Sequence, residues 1–403
     1  MLELSDILEA RERVRETSRQ TPLERSHTYC AMTGADVRLK LENFQRTGAF
    51  KIRGATNRIA TLSAAQKGAG VVTASAGNHA QGVALAATRS GVDSKIVMPE
   101  HAPISKIKAT QNYGAAVVLA GRDYDAAAER AHEIEREEGR TYVHAFDDEY
   151  VMAGQGTIGL EILEDCPDVE TVVVPIGGGG LISGIAVAIK EQNPDVRVIG
   201  VQAEGASSAA ESLAKGERVS IDEVDTIADG IATRSIGEQT FPYIEEYVDE
   251  VVTVSDPEIA VALVYLLERS KTLVEGAGAV PLAAVLFEKF DYVEDEVIVP
   301  ALCGGNIDLN TLTNVIIRGL VETGRYLKIR TVLRDRPGAL EDLLEIFTAH
   351  RANIYAIHHD RTSREVEMSD TEVEIELEMR GPDHVDAFLS DLREAGYVVD
   401  VLA

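Results

Sequence analysis

From about Val71 to Val201, short β-branched runs alternate with longer amphipathic stretches, and this alternation constrains the fold more than any other feature of the 403-residue chain. Val71–Thr73, Lys95–Met98, Ala115–Leu119, Thr171–Val174 and Val196–Val201 have the composition of buried strands. Gln81–Ser90, Asp123–Glu138 and Leu181–Gln192 carry helical periodicity. Strands joined through helix-length stretches predict an α/β fold with parallel sheets.

The pattern changes at Tyr326. Tyr326–Leu333 alternates, and Leu340, Leu343, Leu344 and Phe347 share one helical face within 338–351. Ile354–Arg361 follows as a strand. In Thr371–Met379, Val373, Ile375, Leu377 and Met379 oppose Glu372, Glu374, Glu376 and Glu378, so one sheet face meets water. Val385, Phe388, Leu389 and Leu392 mark a second helix, and Tyr397–Leu402 a last strand. The order βαββαβ predicts a small ferredoxin-like domain over 326–403, behind a boundary near 322–325.

Charge excludes one class of partner. Lys and Arg total 39 against 67 Asp and Glu, a net charge of −28, whereas nucleic-acid binding needs clustered cations. Arg outnumbers Lys more than twofold, and self-repulsion of this size points to a salt-adapted, halophilic source. Three widely spaced cysteines, Cys30, Cys166 and Cys303, suit a reducing compartment, and the start of the chain has no signal-peptide pattern, so a cytoplasmic protein is expected. Thr171–Ile189 is uncharged over the length of a bilayer helix, but Pro175 and the glycines 177–180 interrupt it, which excludes a membrane span.

Those glycines follow a strand and precede a helix. Gly177, Gly178, Gly179 and Gly180 let backbone amides converge on an anion, and the helix start adds positive potential, so a phosphate fits. A simple tight turn needs fewer glycines. A dinucleotide fold is a rival, with Glu204 after the next strand as its ribose acceptor, but the third glycine of that fingerprint is missing, Ser183 standing in its place.

Lys51 lies between Phe50 and Ile52. An amine among apolar neighbours resists protonation, which Schiff-base chemistry and proton abstraction at neutral pH require, although an exposed helical lysine would look the same locally. A phosphate loop and such a lysine together suggest pyridoxal phosphate.

At this point the sequence resembles the threonine dehydratase (threonine ammonia-lyase) family. The resemblance rests on TGAFKIRGA around Lys51, SAGNHAQG from Ser75 to Gly82, GGGGL from Gly177 to Leu181, ADGIA from Ala228, EGAGA from Glu275 and CGGN from Cys303 to Asn306, in register over about 5–322. The tail resembles an ACT domain. The resemblance implies a fold type II pyridoxal-phosphate enzyme over 1–322, with a small subdomain at about 44–145 inserted in a larger one, and an ACT regulatory domain at 326–403. It implies that Lys51 holds the cofactor and later removes the Cα proton. Phe50 would lie against the pyridine ring, Asn78 would bond the phenolic oxygen, Gly177 to Leu181 would hold the phosphate, and Cys303 would face the ring nitrogen.

Ser75, Ala76, Gly77, Asn78 and His79 follow a strand and precede a helix expected to open at Ala80 or Gln81, so free amides there are expected to hold the substrate carboxylate. Asp229 and Glu275 are further candidates for ordering the substrate hydroxyl. The expected reaction is β-elimination from L-threonine, and from L-serine, to a 2-oxo acid and ammonia. Ala76 replaces the second serine that racemases of this fold carry, which favours elimination, and Ala210 replaces an acidic ligand of the racemase metal that begins at the position of Glu204, so no metal is expected. His358 and His359 alternate across a strand and make no metal pair.

Two alternatives stand beside this reading: a serine-preferring lyase or racemase, and a non-catalytic amino-acid sensor. In the tail, Asp335, Arg336, Gly338 and Asn353 are candidate contacts for an amino-acid effector, with isoleucine or valine suggested by the family's place in isoleucine biosynthesis. A homodimer or homotetramer is expected from the same resemblance.

Overall fold

Val172, Val173 and Val174 have no exposed surface, as expected of a strand covered on both faces, and strand Thr171–Pro175 lies inside a six-stranded sheet. In this computed structural model, which describes residues 1–361 and 367–403, the sheet order is Leu23–Arg25, Asp36–Lys40, Val297–Pro300, Thr171–Pro175, Arg197–Ala203, Glu250–Val254. All neighbours are parallel except the first pair, which is antiparallel.

A second, wholly parallel sheet orders Ala116–Leu119, Ser94–Met98, Val71–Ala74 and Thr141–Tyr142. Its strands are consecutive in the chain and interrupt the larger sheet between Asp36–Lys40 and Thr171–Pro175. The expected strands are therefore present, as are the helices at Asn78–Arg89, Tyr124–Glu138 and Gly180–Lys190. Helix Asn78–Arg89 begins before Ala80, which makes Asn78 and His79 its first two residues.

Helix Lys51–Ala60 packs between Asn78–Arg89 and the long helix Glu149–Asp165. The approach is close: a Cβ on Gly82 would press on the Lys51 and Ile52 backbone, and one on Gly154 would collide with the backbone of Arg53 and Gly54.

The chain divides into two compact units, Met1–Asp308 and Leu309–Ala403. The division falls before helix Leu309–Glu322 rather than after it. The second unit holds an antiparallel sheet ordered Asn353–Asp360, Asp370–Glu378, Tyr326–Arg334, Val399–Val401, with helices Ala339–His350 and Pro382–Glu394. This is the ferredoxin-like order, and Val373, Ile375 and Leu377 pack with Phe347 and Phe388 in its core. Among the described residues, no helix is long and apolar enough to cross a membrane.

Candidate functional site

A cavity of about 750 Å³ opens at the carboxyl ends of strands from both parallel sheets, the usual place for a ligand in such folds. The main chain before Lys51 is stitched to the segment around Cys303. Phe50 N donates to Cys303 O at 3.1 Å, Ala49 pairs antiparallel with Gly304, and Gly305 N donates to Gly48 O at 2.8 Å. Two motifs some 250 positions apart are thereby fixed side by side.

Lys51 is the first residue of its helix, with Phe50 as cap. Its Nζ donates to Ala145 O at 2.8 Å and lies 5.1 Å from the Phe50 ring centroid. Burial lowers its pKa to about 8, against the opposing pull of Cys303 and Glu275. The neutral amine is thus accessible near physiological pH, which an ordinary lysine does not allow.

The glycine turn lines the same cavity. Gly179 has φ +96, and helix Gly180–Lys190 starts beside it. Among the described residues, the amides of Gly177 through Leu181 donate to no backbone acceptor. A Cβ on Gly178 would collide with the Phe146 ring, and one on Gly180 with the Phe146 carbonyl, so glycine is required for the chain to pass.

Ser75, Gly77, Asn78 and His79 line the cavity at the start of their helix, whereas Ala76 does not and packs toward the core of the smaller sheet. The His79 imidazole faces Val143 O through Nε2 at 2.9 Å. A carbonyl only accepts, so Nε2 carries the proton, and burial lowers the pKa to about 3. Such a ring is too weak a base to capture a proton at neutral pH.

Asn78 Nδ2 donates to Glu275 Oε1 at 2.6 Å. Burial raises the Glu275 pKa to about 7, with the Asn78 bond working the other way. Asp229 opens a short 3-10 helix at the exposed rim. Cys303 is buried, its Sγ is 3.6 Å from Ala277 O, and burial raises its pKa, so the thiol stays neutral.

Several contributors have no counterpart among the expected residues. Ala145 supplies only a carbonyl, and His144 lines the cavity as a neutral ring whose Nδ1 accepts from Phe146 N at 3.2 Å and Asp147 N at 2.7 Å. Their position just beyond strand Thr141–Tyr142, at a parallel sheet's carboxyl edge, is the signal that marks them. Asn306 donates through Nδ2 to Asn78 Oδ1 at 2.8 Å and was visible only as the last letter of a motif.

The tail candidates do not form one cluster within the chain. Asp335, Arg336 and Gly338 precede helix Ala339–His350, whereas Asn353 follows it and bonds Glu378 at 2.9 Å. Asp335 accepts from Arg361 at 3.0 Å, Arg336 reaches Asp342 at 3.2 Å, and Gly338 takes φ +93 at the helix start.

The donor set fits pyridoxal phosphate: an amine short of charge for an aldehyde, five unbonded amides for a phosphate, and a neutral thiol and an apolar ring for the rest. Residues 14–304 match the family described as pyridoxal-phosphate dependent enzymes. The chain is 51% identical over 402 residues to the L-threonine ammonia-lyase of Geobacter sulfurreducens, covering 100% of both chains. Among solved structures, the processed form of threonine deaminase isoform 2 from Solanum lycopersicum aligns with TM-score 0.75 at 40% identity, over 77% of this chain and 86% of that one. Maize serine racemase aligns with TM-score 0.75 at 38% identity, over 79% of this chain and 98% of its own. The chain belongs to the pyridoxal-phosphate dependent enzyme family.

Proposed function

We propose that the protein is an L-threonine ammonia-lyase that also accepts L-serine, releasing ammonia and a 2-oxo acid by β-elimination of the hydroxyl. The observation that carries this reading is Lys51: an amine at the start of a helix, with a pKa lowered to about 8, lining the same cavity as the glycine turn. The full-length similarity to an enzyme of that name supports the choice of substrate.

The residues divide the work by chemistry. Lys51 would hold the cofactor through its amine, and its neutral Nζ would take the Cα proton. Pyridoxal phosphate, when bound, supplies the electron sink that makes that proton acidic. The amides of Gly177 to Leu181 would hold its phosphate, Phe50 would cover its ring, and Asn78 would meet its phenolic oxygen. The helix start at Gly77, Asn78 and His79, with Ser75, holds the substrate carboxylate, and Asp229 and Glu275 lie toward the substrate hydroxyl. The neutral Cys303 thiol would face the ring nitrogen without holding a charge on it, which would favour prompt loss of the leaving group.

Serine racemisation is the second reading, favoured by the likeness to the maize enzyme. Ala76 argues against it, having no proton to exchange and facing away from the cavity. The test is 2-oxo acid formation from L-threonine and L-serine with chiral analysis of residual serine. D-serine without 2-oxo acid would overturn elimination, and a Lys51→Ala protein that keeps full turnover would overturn the site.

The second unit is assigned as an ACT-type regulatory domain that binds an amino acid, isoleucine or valine by pathway logic. The assembly is assigned as a cytoplasmic homodimer or homotetramer. The ferredoxin-like order and the separate core of 309–403 support the first of these assignments.

A further inference from the structure

At the back of the cavity, two carboxamides and a carboxylate form a chain whose hydrogen-bond polarity has one solution. Asn306 Nδ2 lies 2.7 Å from the main-chain oxygen of Thr47, which only accepts, so the amide nitrogen must face it. The second proton of that nitrogen goes to Asn78 Oδ1 at 2.8 Å. Asn78 is then fixed with its oxygen toward Asn306 and its nitrogen toward Glu275, where Nδ2 donates to Oε1 at 2.6 Å. Turning Asn306 over would set its oxygen against Thr47 O and Asn78 Oδ1, and turning Asn78 over would set its nitrogen against that of Asn306.

The main chain makes room for this arrangement. Gly48 has φ +72, and a Cβ there would collide with Asn306 Oδ1; a Cβ on Gly304 would collide with Glu275 Oε1. Glu275 lines the cavity and Asn306 does not, so the nitrogen of Asn78 is on the cavity side.

We propose that Asn306 is a positioning residue: by anchoring to Thr47 O it sets the polarity of the Asn78 carboxamide, so that an N–H is presented to the phenolic oxygen of pyridoxal phosphate. The assignment rests on the cofactor reading above and adds a residue that acts only through another. A donor at that oxygen stabilises its anionic form, and an acceptor would repel it.

The test compares holoenzymes of the wild type, Asn306→Asp and Asn306→Ala. Aspartate keeps the shape but cannot donate to Thr47 O, so the chain reverses; alanine removes the anchor without reversing it. The readouts are the pH titration of the visible cofactor band and the pyridoxal-phosphate dissociation constant from dialysis against graded cofactor, with thermal melts as the folding control. For N306D the titration midpoint moves by about one unit and the dissociation constant rises about tenfold, with smaller changes for N306A. A folded N306D protein with wild-type midpoint and affinity overturns the assignment, as does a lowered melting temperature with an unchanged titration. Should N306D not fold, an unchanged titration in N306A overturns it instead. A wild type with no visible band overturns the cofactor reading as well.

Discussion

Arg53 Nη2 lies 2.7 Å from Glu42 Oε1, with both side chains sealed from solvent, two residues beyond the lysine that anchors the site. Arg53 Nη1 also bonds Glu161 at 2.6 Å, and Lys40 reaches Glu161 at 2.7 Å. Two cations and two carboxylates thus neutralise one another inside the fold and join the Lys51 helix, the larger sheet and helix Glu149–Asp165. Burial and charge act together here. Replacing Arg53 by methionine strands Glu42 and leaves Glu161 with Lys40 alone, and unfolding free energy falls by about 3–5 kcal/mol in urea titrations. Arg53→Lys keeps the charge but loses the two-pronged geometry, so it recovers only part of that loss.

Lys51 itself costs the apoprotein stability. Its folded pKa lies near 8 against 10.5 for the free side chain, so between these values the unfolded chain binds more protons and stability rises with pH. Below about 8 the cost is fully present, and above 10.5 it is gone. Cofactor-free Lys51→Met is therefore more stable than wild type near neutrality, and the gap narrows in urea melts repeated at alkaline pH. A constant gap across that range would contradict the assignment of the shift to burial of the amine.

Glu275 gives the opposite slope. Its pKa rises from 4.5 to about 7 on folding, so the folded chain binds the extra proton in that window and loses stability as pH climbs through it. Glu275→Gln has nothing to titrate. Subtracting the variant's stability profile from that of the wild type leaves a decline confined to that interval, and a flat difference would place the raised pKa elsewhere.

The net charge of −28 makes a prediction about salt. Screening shortens from about 10 Å at 0.1 M to about 3 Å at 1 M salt, which relieves repulsion among surface carboxylates. The urea midpoint accordingly rises between dilute buffer and molar KCl. Identical midpoints would remove the proposed high-salt adaptation.

The regulatory role proposed for the second unit predicts that the two units separate in function. A chain ending at Asp308 retains turnover of threonine and loses any response to isoleucine or valine, read as initial rates with and without effector. Because Asp335 and Asn353 lie at opposite ends of helix Ala339–His350, single substitutions at each test distinct surfaces. A response that survives truncation would locate the effector in 1–308.

Legibility in the sequence followed the source of each residue's partners. Strands such as Val71–Ala74 announce themselves because both faces are covered by apolar neighbours. Asp36–Lys40 did not, since Arg38 and Lys40 look solvent-bound until Asp168 and Glu161 arrive from distant sequence to pair with them. Val297–Pro300 is short and follows the acidic run Glu294–Glu296, so it reads as a loop edge. At the site, Lys51 and the glycines are marked by residue type, because amine chemistry and open amides require them. Ala145 is not, since a main-chain carbonyl has no signature, and Asn306 matters only through its contact with Asn78.

The bonds between Phe50 and Cys303 and between Gly48 and Gly305 are made by main-chain atoms alone. The spacing between lysine and thiol therefore owes nothing to what residue 303 carries beyond its Cα. If residue 303 faces the cofactor ring as proposed, drift there from thiol to hydroxyl or carboxylate would retune the ring's electronics while the anchor stays put, so new chemistries would be reachable from this scaffold by single substitutions.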